Sequence, residues 1–332
     1  MAGWSVSLPS KGGEALADIA PNIFSEILPR LGREPAKEEG FRDWVLSGVY
    51  QPLERVPGRS IELQRVSAAE FVPFVSYDFE RFSLSSRESF LTADLEKANL
   101  NLTSWPLLKL YYSAFFAAHA VMRSLGCGVV KLESVHVTHL NAVLTAHNSS
   151  ATPISSNMYI YKLLRTSSPA ASYDSILLEL APRGAGVHDS FWKQFCVFLS
   201  EVADEAIKSR KPDASKFLAE SNEVIDAIKG VNYGGRTWFS TVRNEVNYQH
   251  KYDTWYPMTR RSEALSALSS LKKMKSSAVR MDVIAAKKPL TAFVNVATFL
   301  ACLNIEISEL LAARSTQNRA FGQKWRRHVG HI

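Results

Sequence analysis

From Pro106 the chain reads LLKLYYSAFFAAHAVMRSLG, apolar almost throughout, with a proline suited to a first helical turn and a stop at Gly126. That pattern predicts a central helix packed on several sides. Lys109, His119 and Arg123 interrupt the apolar run, so it reads as a buried core helix rather than a membrane span. A second helix is expected over His136 to His147. Helical periodicity resumes at Asp189 and continues through FWKQFCVFLSEVADEAIKSR, SKFLAESNEVIDAIKG, RTWFSTVRNEVNYQH and RRSEALSALSSLKKMK. A long helix is expected from Leu290 to about Ala313, where Asn295, Asn304 and Glu306 argue for a core helix rather than a span.

Ahead of the central helix the pattern is mixed. SIELQRVSA and FVPFVSYDFERFSL have the β-branched and aromatic content of strands, interrupted by Pro52, Pro57 and Pro73. The expected fold class is therefore mainly α, with a smaller mixed α/β region over residues 1–98 and a helical domain over 99–332. Within that domain, residues 148 to 188 are rich in Ser, Pro and Asn and read as a polar insertion. No internal repeat is seen.

A chain of 332 residues with 46% hydrophobic content builds a real core. Cys127, Cys196 and Cys302 have no CxxC spacing and no His pair nearby, which suggests buried thiols rather than a disulfide framework or a zinc site. The N-terminus lacks a basic stretch followed by an apolar run, so a cytoplasmic location is expected, with no membrane partner. The net charge of +7 is uneven: residues 251 to 332 hold fourteen Lys and Arg against five Asp and Glu, or +9. Clusters at 271–275, 286–288 and 324–328, the last containing Lys324, Arg326 and Arg327, suit a phosphate backbone or simply form a solvated surface.

The stretch TVRNEVNYQHKY places Arg243 and His250 seven positions apart in an expected helix from Arg236 to His250. At 100° per residue, with Phe239 at zero, Val242, Val246 and Gln249 fall at about 300°, 340° and 280° and mark the inward face. Arg243 at about 40°, His250 at about 20° and Asn247 at about 80° then line its shoulder, where a cleft or subunit interface would lie. Such a pair suits cleavage of RNA by its own 2′-OH. Histidine titrates near neutrality and moves the proton, while arginine supplies a permanent cation with a fork matched to phosphate oxygens. Neither a metal nor a cofactor is needed. The spacing by itself is weak, since a His five to seven positions after an Arg recurs as Arg183 with His188 and Arg326 with His331, outside any expected helix.

RNEVNYQH resembles the signature of the HEPN superfamily, an Arg usually followed by Asn, Asp or His and then a His after four to six residues. YYSAFFAAHAVMRSLG likewise resembles the aromatic and alanine-rich helix that begins that family's bundle. The resemblance covers roughly residues 100 to 275. It implies a HEPN-like helical bundle and a metal-independent endoribonuclease, a toxin or defence effector, yielding a 2′,3′-cyclic phosphate and a 5′-OH. His250 would be the general acid or base, Arg243 would stabilise the phosphorane-like charge, and Asn244 would position the histidine or the phosphate. Asn247, Lys324, Arg326 and Arg327 would hold RNA. Relatives typically pair two copies, so a homodimer or a pseudo-dimer with a HEPN-like partner is implied, restrained by an antitoxin or sensor protein. The alternative is a catalytically silent HEPN-like module that binds nucleic acid or a partner.

Other residues weigh less. His119 is more often a satisfied core residue than part of a site, and Tyr248, opposite the core, reads as a packing or partner contact. His136, His139 and His147 share a helix without an HExxH pattern or a carboxylate in the segment, so metal binding is not expected. No GxxxxGK[ST], GxGxxG or GxSxG motif occurs.

Overall fold

A computed structural model describes residues 39–100, 103–164, 174–182, 186–208, 210, 214–231, 237–255, 263–269, 271 and 288–314. The described elements are α1 (Phe41–Ser47), β1 (Gln51–Val56), β2 (Ser60–Val66), α2 (Ala68–Leu100), α3 (Ser104–Ser124), β3 (Cys127–Leu132) and α4 (Ser134–His147), followed by β4 (Asn157–Leu164), β5 (Asp174–Leu180), α5 (Val187–Lys208), α6 (Ala214–Lys229), α7 (Trp238–Tyr248), α8 (Glu263–Ser269) and α9 (Pro289–Arg314). Among the described residues the structure is mostly helical with one small antiparallel sheet, as the mainly α reading expects.

Two compact units divide these elements, and each draws on both sides of residue 98. The sheet unit takes the described residues up to Arg81 together with Met122–Gln194, and the helical unit takes Phe82–Val121 and Phe195–Ala313.

In the sheet unit five strands run in the order β1-β2-β5-β4-β3, all neighbours antiparallel. Alternation puts Ile61, Leu63, Tyr159, Tyr161, Ile176 and Leu178 into one core with Phe41 and Trp44 of α1 and Val137 and Leu140 of α4. Phe41 stacks on Tyr161 at 3.9 Å, and Trp44 meets Phe71 edge-on at 5.0 Å. Asp78, nearly sealed from water, ties the unit together. It accepts from the Phe41 N–H and from Arg81 Nη2 (2.7 Å) and lies 3.4 Å from Arg123 Nε. Burial alone would push its carboxyl up, but the Arg123 and Arg81 charges outweigh that and hold it below the usual carboxylate range.

Two expectations change here. FVPFVSYDFERFSL is not a strand but part of α2, because Phe71, Val75 and Phe79 recur every four residues and are all buried on one helical face. Pro73 sits in the second turn, where it forfeits one backbone donor without ending the helix. The segment read as a polar insertion, 148 to 188, carries β4 and β5, whose inward residues Tyr159, Tyr161, Ile176 and Leu178 belong to the core.

In the helical unit α3 is buried on most sides, with Leu110, Tyr111, Ala114, Ala117 and Ala118 sealed from solvent. Tyr111 lies 5.5 Å from Phe239 of α7, and Phe239 lies 4.7 Å from Phe293 of α9. One stretch, Pro289–Glu309 in α9, is long and apolar enough to cross a membrane, yet most of it is buried inside the fold. Its Asn304 accepts from Ser83 Oγ of α2 at 2.9 Å, both residues fully buried. The thiols of Cys196 and Cys302 are pushed up to about 12 by burial, as inert core thiols are. The α6 helix ends on Gly230 at φ 65°, where an added Cβ would lie 2.2 Å from Trp238 Cβ, so only glycine fits that exit.

Candidate functional site

The α7 helix buries Trp238, Phe239, Ser240, Val242 and Val246, while Asn244 and Tyr248 face solvent. Arg243 and Asn247 fall between the two faces, half-buried, on the expected shoulder. The expected run of helix to His250 does not hold. Gln249 caps α7, and His250 takes the left-handed conformation at φ 52°. Gln249 is exposed rather than inward, and His250 is exposed on a turn, so the histidine shares no helical face with Arg243.

The reason is a local network centred on Glu245. Its carbonyl accepts from the Gln249 and Lys251 N–H groups, while its carboxylate accepts from Lys251 Nζ at 2.6 Å and from the Tyr252 hydroxyl. With His250, Tyr252 and Asp253 all at positive φ, the chain folds back on the end of α7. Trp255 Nε1 then donates to the Val246 carbonyl at 2.6 Å, and Thr103 Oγ1 donates to the Thr254 carbonyl. The histidine therefore rides on a turn pinned at both ends, and its ring lies 5.6 Å from Trp255.

Arg243 is braced from two sides. Nη2 donates to the Tyr112 hydroxyl of α3 at 2.8 Å, and Nη1 donates to Asn244 Oδ1 at 2.8 Å. The Tyr112 and Tyr248 rings stand 5.8 and 5.5 Å from its guanidinium carbon. Burial works against the charge, but the Tyr112 bond and the neighbouring phenols more than offset it, so the cation is held more firmly than in water. A guanidinium carries five N–H donors, and these two bonds use one each. What results is a fixed cation suited to an anion such as a phosphodiester.

The remaining candidates separate. His119 is buried and stacked on Phe82 at 4.7 Å, a core residue. His136 Nδ1 accepts from the Glu133 N–H at the start of α4, and His147 Nδ1 meets the Val143 carbonyl at 3.0 Å. Among the described residues no group of three or more His, Cys, Asp and Glu gathers as metal ligands. Lys324, Arg326 and Arg327 lie outside the described residues, as do Arg183, His331 and most of the 271–275 and 286–288 clusters.

Sequence reasoning passed over Tyr112, Glu245 and Trp255. Tyr112 carried a signal, a hydroxyl-bearing ring in an otherwise apolar helix, but its partner lies 131 residues away. No family model, curated protein or solved structure matches this chain.

Proposed function

We propose that this chain is a metal-independent endoribonuclease of the HEPN type, acting as a toxin or defence effector, with RNA cut by attack of its own 2′-OH. The observation that carries the reading is Arg243, braced by Tyr112 and Asn244, with an exposed histidine on a turn fastened to the same helix. In this reading Arg243 stabilises charge developing on the phosphate, His250 moves a proton, Asn244 sets the arginine fork and Asn247 bonds a phosphate oxygen. One such set leaves the departing 5′-oxygen without an acid. A two-fold pairing of like surfaces supplies a second histidine, so a homodimer or HEPN-like pseudo-dimer belongs to the proposal.

The test is incubation of the purified chain with total RNA in EDTA beside Arg243→Ala and His250→Ala. Cleavage by the parent to 2′,3′-cyclic phosphate ends is expected, with loss of at least about a hundredfold in each variant and unchanged helical circular dichroism. Intact RNA with the parent protein overturns the enzymatic reading.

One observation favours a second reading, a catalytically silent module that binds nucleic acid or a partner. His250 lies beyond the helix end, while Arg243 already serves Tyr112 and Asn244. In the same assay that module would retain RNA on a filter without shortening it.

A further inference from the structure

Trp105, in the first turn of α3, is 50% exposed, a large flat ring left half in water. Its centroid stands 5.5 Å from Trp255, which stands 5.6 Å from His250, so ring contacts lead from Trp105 through Trp255 to the exposed histidine. Trp255 is held by its bond to the Val246 carbonyl, and the residue before it by Thr103. Seven positions along α3 from Trp105, two turns and about 10 Å by helical rise, Tyr112 holds Arg243. Beyond the arginine, Tyr248 is 68% exposed. All of these residues belong to the helical unit.

The side chains reached by solvent here are two aromatic rings, an exposed imidazole and a half-buried guanidinium. Ring faces suit unpaired nucleobases, which stack on any aromatic side chain without regard to sequence, while the guanidinium suits the intervening phosphate. Paired bases are already stacked on one another and show only their edges. We propose that Trp105 is a base-stacking subsite that takes an unpaired base of a single-stranded RNA whose phosphate lies at Arg243. The inference rests on the ribonuclease reading for the identity of the polymer, and it adds where a base is gripped and that the strand there is unpaired.

The experiment uses the full chain and a fluorescein-labelled oligonucleotide with 2′-O-methyl groups throughout, which binds without being cut. Binding is measured by anisotropy for the single strand and for its perfect duplex. Trp105→Ala should weaken single-strand binding about tenfold, Trp105→Leu should weaken it comparably because leucine has bulk but no ring face, and Trp105→Phe should retain most of it. Duplex binding should be weaker and indifferent to all three. Equal affinity of the parent and Trp105→Leu overturns the subsite and leaves Trp105 as packing, and absence of binding to either form overturns it in favour of a protein contact. Ring-dependent binding with no cleavage of ordinary RNA would retain the subsite while removing the ribonuclease; cleavage with ring-independent binding would do the reverse.

Discussion

Of the two hydrogen bonds that brace Arg243, the one to Tyr112 comes from another helix. A free arginine on a helix shoulder samples many rotamers, and each use of it costs the entropy of choosing one. Tyr112 removes much of that cost beforehand. Tyr112→Phe keeps the ring and deletes only the acceptor, so under the proposed ribonuclease function single-turnover cleavage should slow about tenfold while the thermal midpoint barely moves. An unchanged rate would show that the arginine finds its position without the phenol. The shoulder placement of Arg243 and Asn247 was legible from periodicity, since it depends only on the angle of each residue around the helix. The Tyr112 contact was not, because it depends on which helix lies alongside α7.

At the scale of elements, the α7 helix and the turn after it form one piece through Glu245. Helical spacing alone carried the pattern on to His250, since nothing between Arg243 and His250 is a glycine or proline that marks a stop. What ends the helix is a side chain inside it. Two groups beyond the end each bond one oxygen of the Glu245 carboxylate, and the backbone takes left-handed residues to deliver them. Glu245→Ala should therefore cost about 1–2 kcal/mol and speed amide hydrogen exchange over residues 250 to 255, while α7 itself stays protected. Exchange that rises equally along α7 would show that the helix and turn are not separable. Competition between local signals explains α2, where strand-like composition hid a four-residue apolar repeat. In β4 and β5, polar connecting residues masked two strands that pair with each other, and β5 pairs also with β2, far back in the sequence.

At the scale of the molecule, the sheet unit depends on a buried charge pair. Asp78 has a lower pKa in the folded protein than in the unfolded chain, where a carboxyl of this kind titrates near about 3.9. Its contribution is therefore fully present above that value and is lost as pH falls through the folded value. Urea midpoints measured from about pH 5 to 2 should fall steeply for the parent. Asp78→Asn should start about 3–5 kcal/mol lower, with Arg123 left buried without its carboxylate, and show a shallower fall. Equal slopes would remove Asp78 from the acid response. The Ser83 to Asn304 bond acts on a different axis, that of time. It joins residues 221 positions apart, and a ribosome adding roughly 5–20 residues per second needs about 10–40 s to cover that distance. Throughout that interval the face of α2 around Ser83 is without α9, whereas β5, the last described strand of the sheet, is complete by Leu180, well before α9 begins. The helical unit that carries Arg243 and His250 is thus completed only after α9 has followed the described strands, and a nascent chain holds its cation and histidine before it has the core that fixes them.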